Sequence, residues 1–161
     1  MTDSRKLATA LFSGVGLLIA IQLVPYGHEH AVPPDGTLVA WDSAATEALA
    51  QRACYDCHSN RTRWPWYSSI APISWRIQTH VMRGRMDLNF TAFDPANKDV
   101  AEAAGEAGAT VTKGEMPPND YVLSHPEARL SGTEKRALVA GLNRTFAAFV
   151  ERVERVERGE K

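Results

Sequence analysis

The chain has 161 residues, 44% of them hydrophobic, and a formal net charge of −1 at pH 7, which is enough to bury the core of one modest domain without disulfide staples. With 18 Lys and Arg against 19 Asp and Glu, and with neither a Gly-rich phosphate loop nor a zinc-finger spacing, nothing in it points to nucleic acid.

The first element is apolar. In "MTDSRKLATALFSGVGLLIAIQLVPYGHEH" no charged side chain occurs from Leu7 to Gly27, and the run follows Arg5 and Lys6. A helix needs about 20 apolar residues to cross the hydrocarbon core, so residues 7–24 are predicted to enter a membrane. The run exceeds the roughly 7–15 residues of a signal-peptide core and lacks an A-x-A cleavage pattern, which favours a retained anchor over a cleaved signal. A buried globular helix fits less well, because the run has no polar face. Arg5 and Lys6 should stay in the cytoplasm, which puts the rest of the chain outside a bacterial inner membrane, in the periplasm. The expected organisation is an anchor at 1–25, a linker at 26–40 and one domain at 41–161.

In the linker, "PYGHEHAVPPDGT", three prolines and two glycines oppose helix. His28 and His30 read as ordinary polar residues rather than metal ligands. A first helix is predicted from Asp42 or Ser43 as cap through "AATEALAQRA". "WPWYSSIAPISW", residues 64–75, has two prolines and four aromatics and predicts a packed loop that reverts to helix around "SWRIQTHVMRGR". A middle helix is predicted over about residues 95–112, with Asp94 as cap, Pro95 at its first position and Gly114 as stop, weakened by Gly105 and Gly108.

The last helix opens with the capping box Ser131-x-x-Glu134. It then places Leu138, Leu142, Thr145 or Phe146, Phe149, Val153 and Val156 on one stripe. Glu151, Arg152, Glu154, Arg155, Glu157 and Arg158 form a mixed-charge tail that reads as a solvated helix end. No repeat and no alternating strand pattern is found. The expected fold is all-α.

Both cysteines of the chain lie in "RACYDCHSNRTRWPWYSS". Cys54, Cys57 and His58 make the pattern CxxCH, which signals haem attachment: two thiols add across the porphyrin vinyl groups, and the adjacent imidazole is placed to ligate the iron. Three rivals stand beside it. A thioredoxin-like dithiol belongs near a strand–helix unit, a structural zinc site needs a fourth ligand, and a disulfide across so short a loop contributes little stability. An export segment and a haem c motif support one another, because this haem is attached outside the cytoplasmic membrane.

His58 fills one axial position, and the candidates for the other are Met116, His125, His80, Met82 and Met86. Met116 leads, because in "KGEMPPND" Gly114, Pro117 and Pro118 force a non-helical loop. Met82 and Met86, at i, i+4 in a predicted helix, read as a packed face, and His80 shares that helix. His125 precedes Pro126 in a loop and is the better histidine.

"CYDCHSNRTRWPWYSSIAPISW", "HVMRGRMDLNF", "GEMPPNDYVLSHPEARLS" and the closing helix together resemble the bacterial haem-binding domain family of small, membrane-anchored, c-type cytochrome-like proteins, over about residues 40–145. More distantly the chain is similar to class I cytochromes c, from which the Trp-rich insert after the haem motif is a departure. The class I likeness implies that the first and last helices cross closely, through the small residues Ala50, Ala53, Ala137 and Gly141.

On this reading Trp64, Trp66, Tyr67 and Trp75 wall an apolar haem pocket. Arg63, with Arg61, Arg76, Arg83 and Arg85, is a candidate for pairing the haem propionates. Residues 52–85 hold six arginines against one aspartate, and residues 87–127 hold eight acidic side chains against two lysines, a dipolar surface able to steer a redox partner protein. The expected function is a monohaem electron carrier and not an enzyme, with one covalent haem c on Cys54 and Cys57. A haem-based sensor or peroxidase-like protein with an open distal position is the alternative.

Overall fold

The computed structural model describes residues 2–158, and among these every regular element is a helix. In chain order they are α1 (Thr2–Ile21), α2 (Ala44–Ala53), α3 (Tyr55–His58), α4 (Ile73–Asp87), α5 (Lys98–Lys113), α6 (Asn119–Ser124) and α7 (Gly132–Glu157). Short 3₁₀ turns stand at Trp66–Ser69 and Pro126–Ala128. The chain divides into two units, residues 1–31 with 64–80 and residues 32–63 with 81–161.

In the smaller unit α1 leaves Leu7, Leu11, Phe12, Leu17 and Ile19 exposed. Its 20 residues extend about 30 Å at the rise of an α-helix, so it is long and apolar enough to cross a membrane. Beyond it, Gln22 clasps the main chain of Ala71: Nε2 donates to the carbonyl at 3.0 Å and Oε1 accepts from the amide at 2.9 Å. Gly27 has φ +84°, and a Cβ there would lie 2.7 Å from the carbonyl carbon and oxygen of Ser74. Glycine alone satisfies both the left-handed backbone and the close approach. His30 stacks on Trp64 at 4.5 Å and meets Ser68 Oγ at 3.0 Å. The proline-rich stretch has no regular element, as expected, yet its first half is tied down by specific contacts.

In the larger unit, Ser43 Oγ caps α2 by accepting from the Thr46 amide at 3.2 Å. The cap of α5 is Asn97, whose Oδ1 accepts from the amides of Asp99 and Val100. Asp94 instead accepts from the Ala96 amide at 2.9 Å, closing a turn ahead of the helix. The predicted start at Pro95 is therefore corrected to Lys98: two good capping residues lie three apart, and the turn on the first leaves the second to begin the helix. Gly114, at φ +80°, ends α5 as predicted.

The capping box of α7 forms in both directions, with the Ser131 amide donating to Glu134 Oε2 at 2.8 Å and the Glu134 amide to Ser131 Oγ at 3.2 Å. Leu138, Leu142, Phe146 and Phe149 make the buried stripe, each contributing about 1.5–3 kcal/mol by burial. Thr145 faces away from it and accepts from the Asp42 amide at 3.2 Å. Opposite the stripe lie Val100, Ala104 and Val111 of α5, Ala50 of α2, and Leu88 and Phe90. The side chains of Val153, Val156, Arg152, Glu154 and Glu157 lie outside those described; in the described part of the tail, Arg155 pairs with Glu151 at 3.2 Å.

Close approach explains the helix glycines. A Cβ on Gly108 would overlap the Asn143 side chain, and one on Gly105 would sit 3.1 Å from Val150, so α5 and α7 run antiparallel with these glycines in their seam. A Cβ on Gly141 would overlap Thr46, which brings α2 against α7 as the small residues imply. Arg52 at the end of α2 closes that pair through Glu134, at 2.6 Å.

Candidate functional site

The cysteine motif occupies the junction of α2 and α3. The Cys54 amide closes α2 on the Ala50 carbonyl at 2.8 Å, and the His58 amide closes the single turn of α3 on the Cys54 carbonyl at 2.9 Å. One helical turn thus sets Cys54, Cys57 and His58 by local hydrogen bonds alone. Both cysteines are partly buried as residues and unbridged. Burial, with the neighbouring Cys57, pushes the Cys54 thiol up to about 12. Burial and the charges of Asp56 and Asp120, against the opposing Arg85, push Cys57 up to about 11. Such thiols stay protonated at neutral pH, unlike the activated thiolates of dithiol redox motifs.

His58 is oriented from a distance. Its Nδ1 lies 2.9 Å from the Leu88 carbonyl oxygen, which can only accept, so the ring proton belongs on Nδ1 and the lone pair on Nε2, the tautomer that a metal-binding imidazole uses. Burial lowers its pKa, the Leu88 carbonyl opposing, and so favours the neutral form that binds metal. The segment after α4 that supplies Leu88 is itself anchored: the Phe90 amide donates to the His58 carbonyl at 2.8 Å, and the Phe90 ring lies 5.9 Å from the imidazole.

A buried polar network holds these two segments together. Asn60 receives from Asn89 Nδ2 at 2.8 Å, its amide donates to Thr91 Oγ1 at 2.7 Å, and its own Nδ2 reaches the Pro34 carbonyl at 2.8 Å. Ser59 Oγ donates to the Tyr55 carbonyl and Thr62 Oγ1 to the Asp56 carbonyl, both at 2.7 Å. Where α4 crosses the motif, a Cβ on Gly84 would lie 2.6 Å from the Cys57 carbonyl oxygen. This glycine is a cradle for the motif's backbone.

Asp56, between the two cysteines, has the densest set of partners. Its carboxylate accepts from the Arg63 amide at 3.1 Å, Arg63 Nε at 3.2 Å, Arg63 Nη2 at 3.1 Å and the Tyr121 hydroxyl at 2.7 Å. Burial alone would raise its pKa, but these hydrogen bonds outweigh burial and hold it below the usual carboxylate value. Arg63, expected to pair a propionate, bonds Asp56 through Nε and Nη2, stands 3.9 Å from Glu127 and keeps 61% of its side chain exposed. Likewise Arg61 pairs with Asp35 at 2.7 Å, while Arg85 donates to the Ser59 carbonyl and Thr62 Oγ1, each at 2.9 Å.

Met116 sits in a non-helical loop, 38% exposed. Of its rivals, Met82 and Met86 are also exposed, and His125 stacks on Tyr121 at 4.2 Å with Nδ1 3.1 Å from the Tyr121 carbonyl. Trp64, Trp66, Tyr67 and Trp75 belong to the smaller unit. There Trp66 is 83% exposed and meets Tyr67 edge-on at 5.7 Å. The buried indole N–H groups of Trp64 and Trp75 have no acceptor among the described residues.

Sequence reasoning missed Leu88, Gly84, Asp56, Asn60, Asn89 and Tyr121. Leu88 acts through a backbone carbonyl, which no side-chain pattern reveals, and the others act through partners distant in sequence. Among the described residues no group of three His, Cys, Asp or Glu side chains is placed to hold a bare metal ion. The residues present do fit haem: two thiols on one helical turn and, in the next residue, an imidazole whose Nδ1 proton is taken up by the Leu88 carbonyl.

Comparison with curated proteins and with solved structures gave no match. The model of a haem-binding domain matches residues 16–144, a span that includes the cysteine motif, the Leu88 segment, the Met116 loop and the first turns of α7. The chain belongs to the haem-binding domain family and is a haem-binding protein.

Proposed function

We propose that the protein is a monohaem c-type cytochrome, distantly related to class I cytochromes c, that carries electrons for a redox partner protein in the periplasm while α1 anchors it in the inner membrane. The observation that carries this reading is the His58–Leu88 hydrogen bond, which leaves Nε2 as the lone-pair nitrogen of the imidazole one residue after the second cysteine. Cys54 and Cys57 would hold the haem as two thioethers, each S–H adding across one vinyl C=C so that sulfur and hydrogen go to the two vinyl carbons and no oxidant is needed. Haem, when bound, supplies the one-electron couple of its iron. The chain's part would be to hold His58 neutral and oriented, to supply Met116 as the other iron ligand, and to exclude water. A thioether ligand raises the potential relative to a second imidazole, and no substrate chemistry is assigned to the chain.

The exposure of Met116 favours a second reading, a haem-based sensor or peroxidase-like protein whose distal position opens. Visible spectroscopy and mass spectrometry of the full chain, expressed with a haem c maturation apparatus, test both. Electron transfer predicts haem that resists acidified organic solvent, added tetrapyrrole mass, a near-infrared methionine-to-ferric-iron band and no carbon monoxide adduct of the ferrous protein. Rapid adduct formation supports the second reading. Haem that extracts freely from the wild-type protein refutes covalent attachment.

A further inference from the structure

The loop that carries Met116 is fastened at both ends. At its start, Gly114 ends α5 in the left-handed conformation, and the amides of Glu115 and Met116 return to the Thr110 carbonyl at 3.0 and 3.4 Å. At its far end, Tyr121 of α6 donates its hydroxyl to Asp56 Oδ2 at 2.7 Å, across 65 residues of sequence. α6 has six residues and buries none of them fully, so apolar packing does little to seat it. Between Tyr121 and Met116 stand Pro117 and Pro118, whose fixed φ makes the connection stiff and transmits the position of one end to the other.

Asp56 is a suitable anchor because it lies between the two attachment cysteines, so its carboxylate moves with the haem motif. Its side chain is 8% exposed, and Arg63 alone already supplies three hydrogen bonds and a counter-charge. The bond from Tyr121 is therefore additional to what neutralises the buried carboxylate. A hydroxyl donating to a carboxylate is a strong, directional bond.

We propose that Tyr121 and Asp56 form a positioning latch that seats the Met116 loop on the haem motif and keeps the sixth position of the iron closed to outside ligands. The proposal rests on His58/Met116 ligation as argued above. Tyr121 touches neither iron nor substrate and acts through Met116. Losing one charge-assisted hydrogen bond shifts a closed–open equilibrium by about tenfold to a hundredfold.

The test uses the full-length haem-loaded chain and the variants Tyr121→Phe and Asp56→Asn. Tyr121→Phe keeps the ring and should weaken the methionine-to-ferric-iron band, raise carbon monoxide binding by the ferrous protein about tenfold or more, and speed amide exchange at residues 115, 116 and 119–121. Haem attachment and amide protection of α5 and α7 should stay as in the wild type. Asp56→Asn retains a neutral acceptor and should fall between the two. Wild-type band, carbon monoxide binding and loop exchange in Tyr121→Phe overturn the latch; if that variant fails to accumulate, the same wild-type result in Asp56→Asn does so. A wild-type protein without the methionine band removes the ligand assignment and the latch with it, an outcome distinct from an intact band that the variants leave unchanged.

Discussion

His58 Nδ1 and the carbonyl oxygen of Leu88, 30 residues apart in sequence, lie 2.9 Å from each other. The cysteine motif sets where the imidazole stands, but this bond sets which nitrogen it presents. Leu88 is itself buried in the core, so packing of its side chain positions its carbonyl. Leu88→Ala should cost about 2–5 kcal/mol of stability and release the imidazole. Urea denaturation measures the first effect, and hydrogen exchange of the His58 Nδ1 proton, followed by NMR, the second. Loss of stability with an unchanged ring-proton exchange rate would separate the core role from the orienting role.

Gly84 should tolerate no side chain. The contact that a Cβ would make is with the Cys57 main chain, which is closed into a helical turn and cannot swing aside. Gly84→Ala should destabilise by about 1–3 kcal/mol and lower the yield of haem-loaded protein. Gly16, with open space around it, is the control, and Gly16→Ala should leave haem loading unchanged.

Two glycines in the helix seams should respond differently to the same change. A Cβ on Gly141 meets the body of Thr46, a short β-branched side chain with few rotamers, so Gly141→Ala should cost about 1–3 kcal/mol. A Cβ on Gly108 meets chiefly the amide end of Asn143, which can rotate away, while alanine gains about 1 kcal/mol of helix propensity. Gly108→Ala should therefore stay within about 1 kcal/mol of wild type. Equal and large losses in both, measured by chemical denaturation, would mean that the α5–α7 seam is as tight as the α2–α7 seam.

Glu134 should make stability sensitive to acid. The Ser131 amide, then the Arg52 guanidinium and the Ser131 hydroxyl, hold its carboxyl down at about 2 against an ordinary 4.5. Because the folded-state value is the lower one, the stabilisation is complete above pH 4.5, shrinks as pH falls, and is gone below about 2. Glu134→Gln should lower the urea midpoint at pH 6 and flatten its fall between pH 5 and 2, a window drawn from those two values. Parallel wild-type and variant curves across that window would remove the assignment.

Much of this was legible without coordinates. The capping box and Gly114 as a stop are local patterns that the structure keeps; of the two caps offered for α2 it uses Ser43, and of the stripe it buries Leu138, Leu142, Phe146 and Phe149, with Phe146 taken over Thr145 and the Val153 and Val156 side chains outside those described. The start of α5 was misplaced because Asp94 and Asn97 have the same capping chemistry, and which of them opens the helix depends on the turn that the other makes. Gly105 and Gly108 look like weaknesses in a single helix; they become packing requirements only when a second helix is laid against them.

What the sequence determined by itself was chemistry carried by neighbours along the chain: an apolar run able to cross a membrane, an all-helical fold, and two thiols with an imidazole set by one helical turn. What only the tertiary structure decided was chemistry carried across it. The Leu88 carbonyl that fixes the His58 tautomer, the Gly84 cradle under Cys57, and the commitment of Arg63 and Tyr121 to Asp56 are all of this kind. The physical reason is that a hydrogen bond or a close packing contact depends on positions in space. Residues 30 or 65 apart acquire those positions only when the core between them has formed.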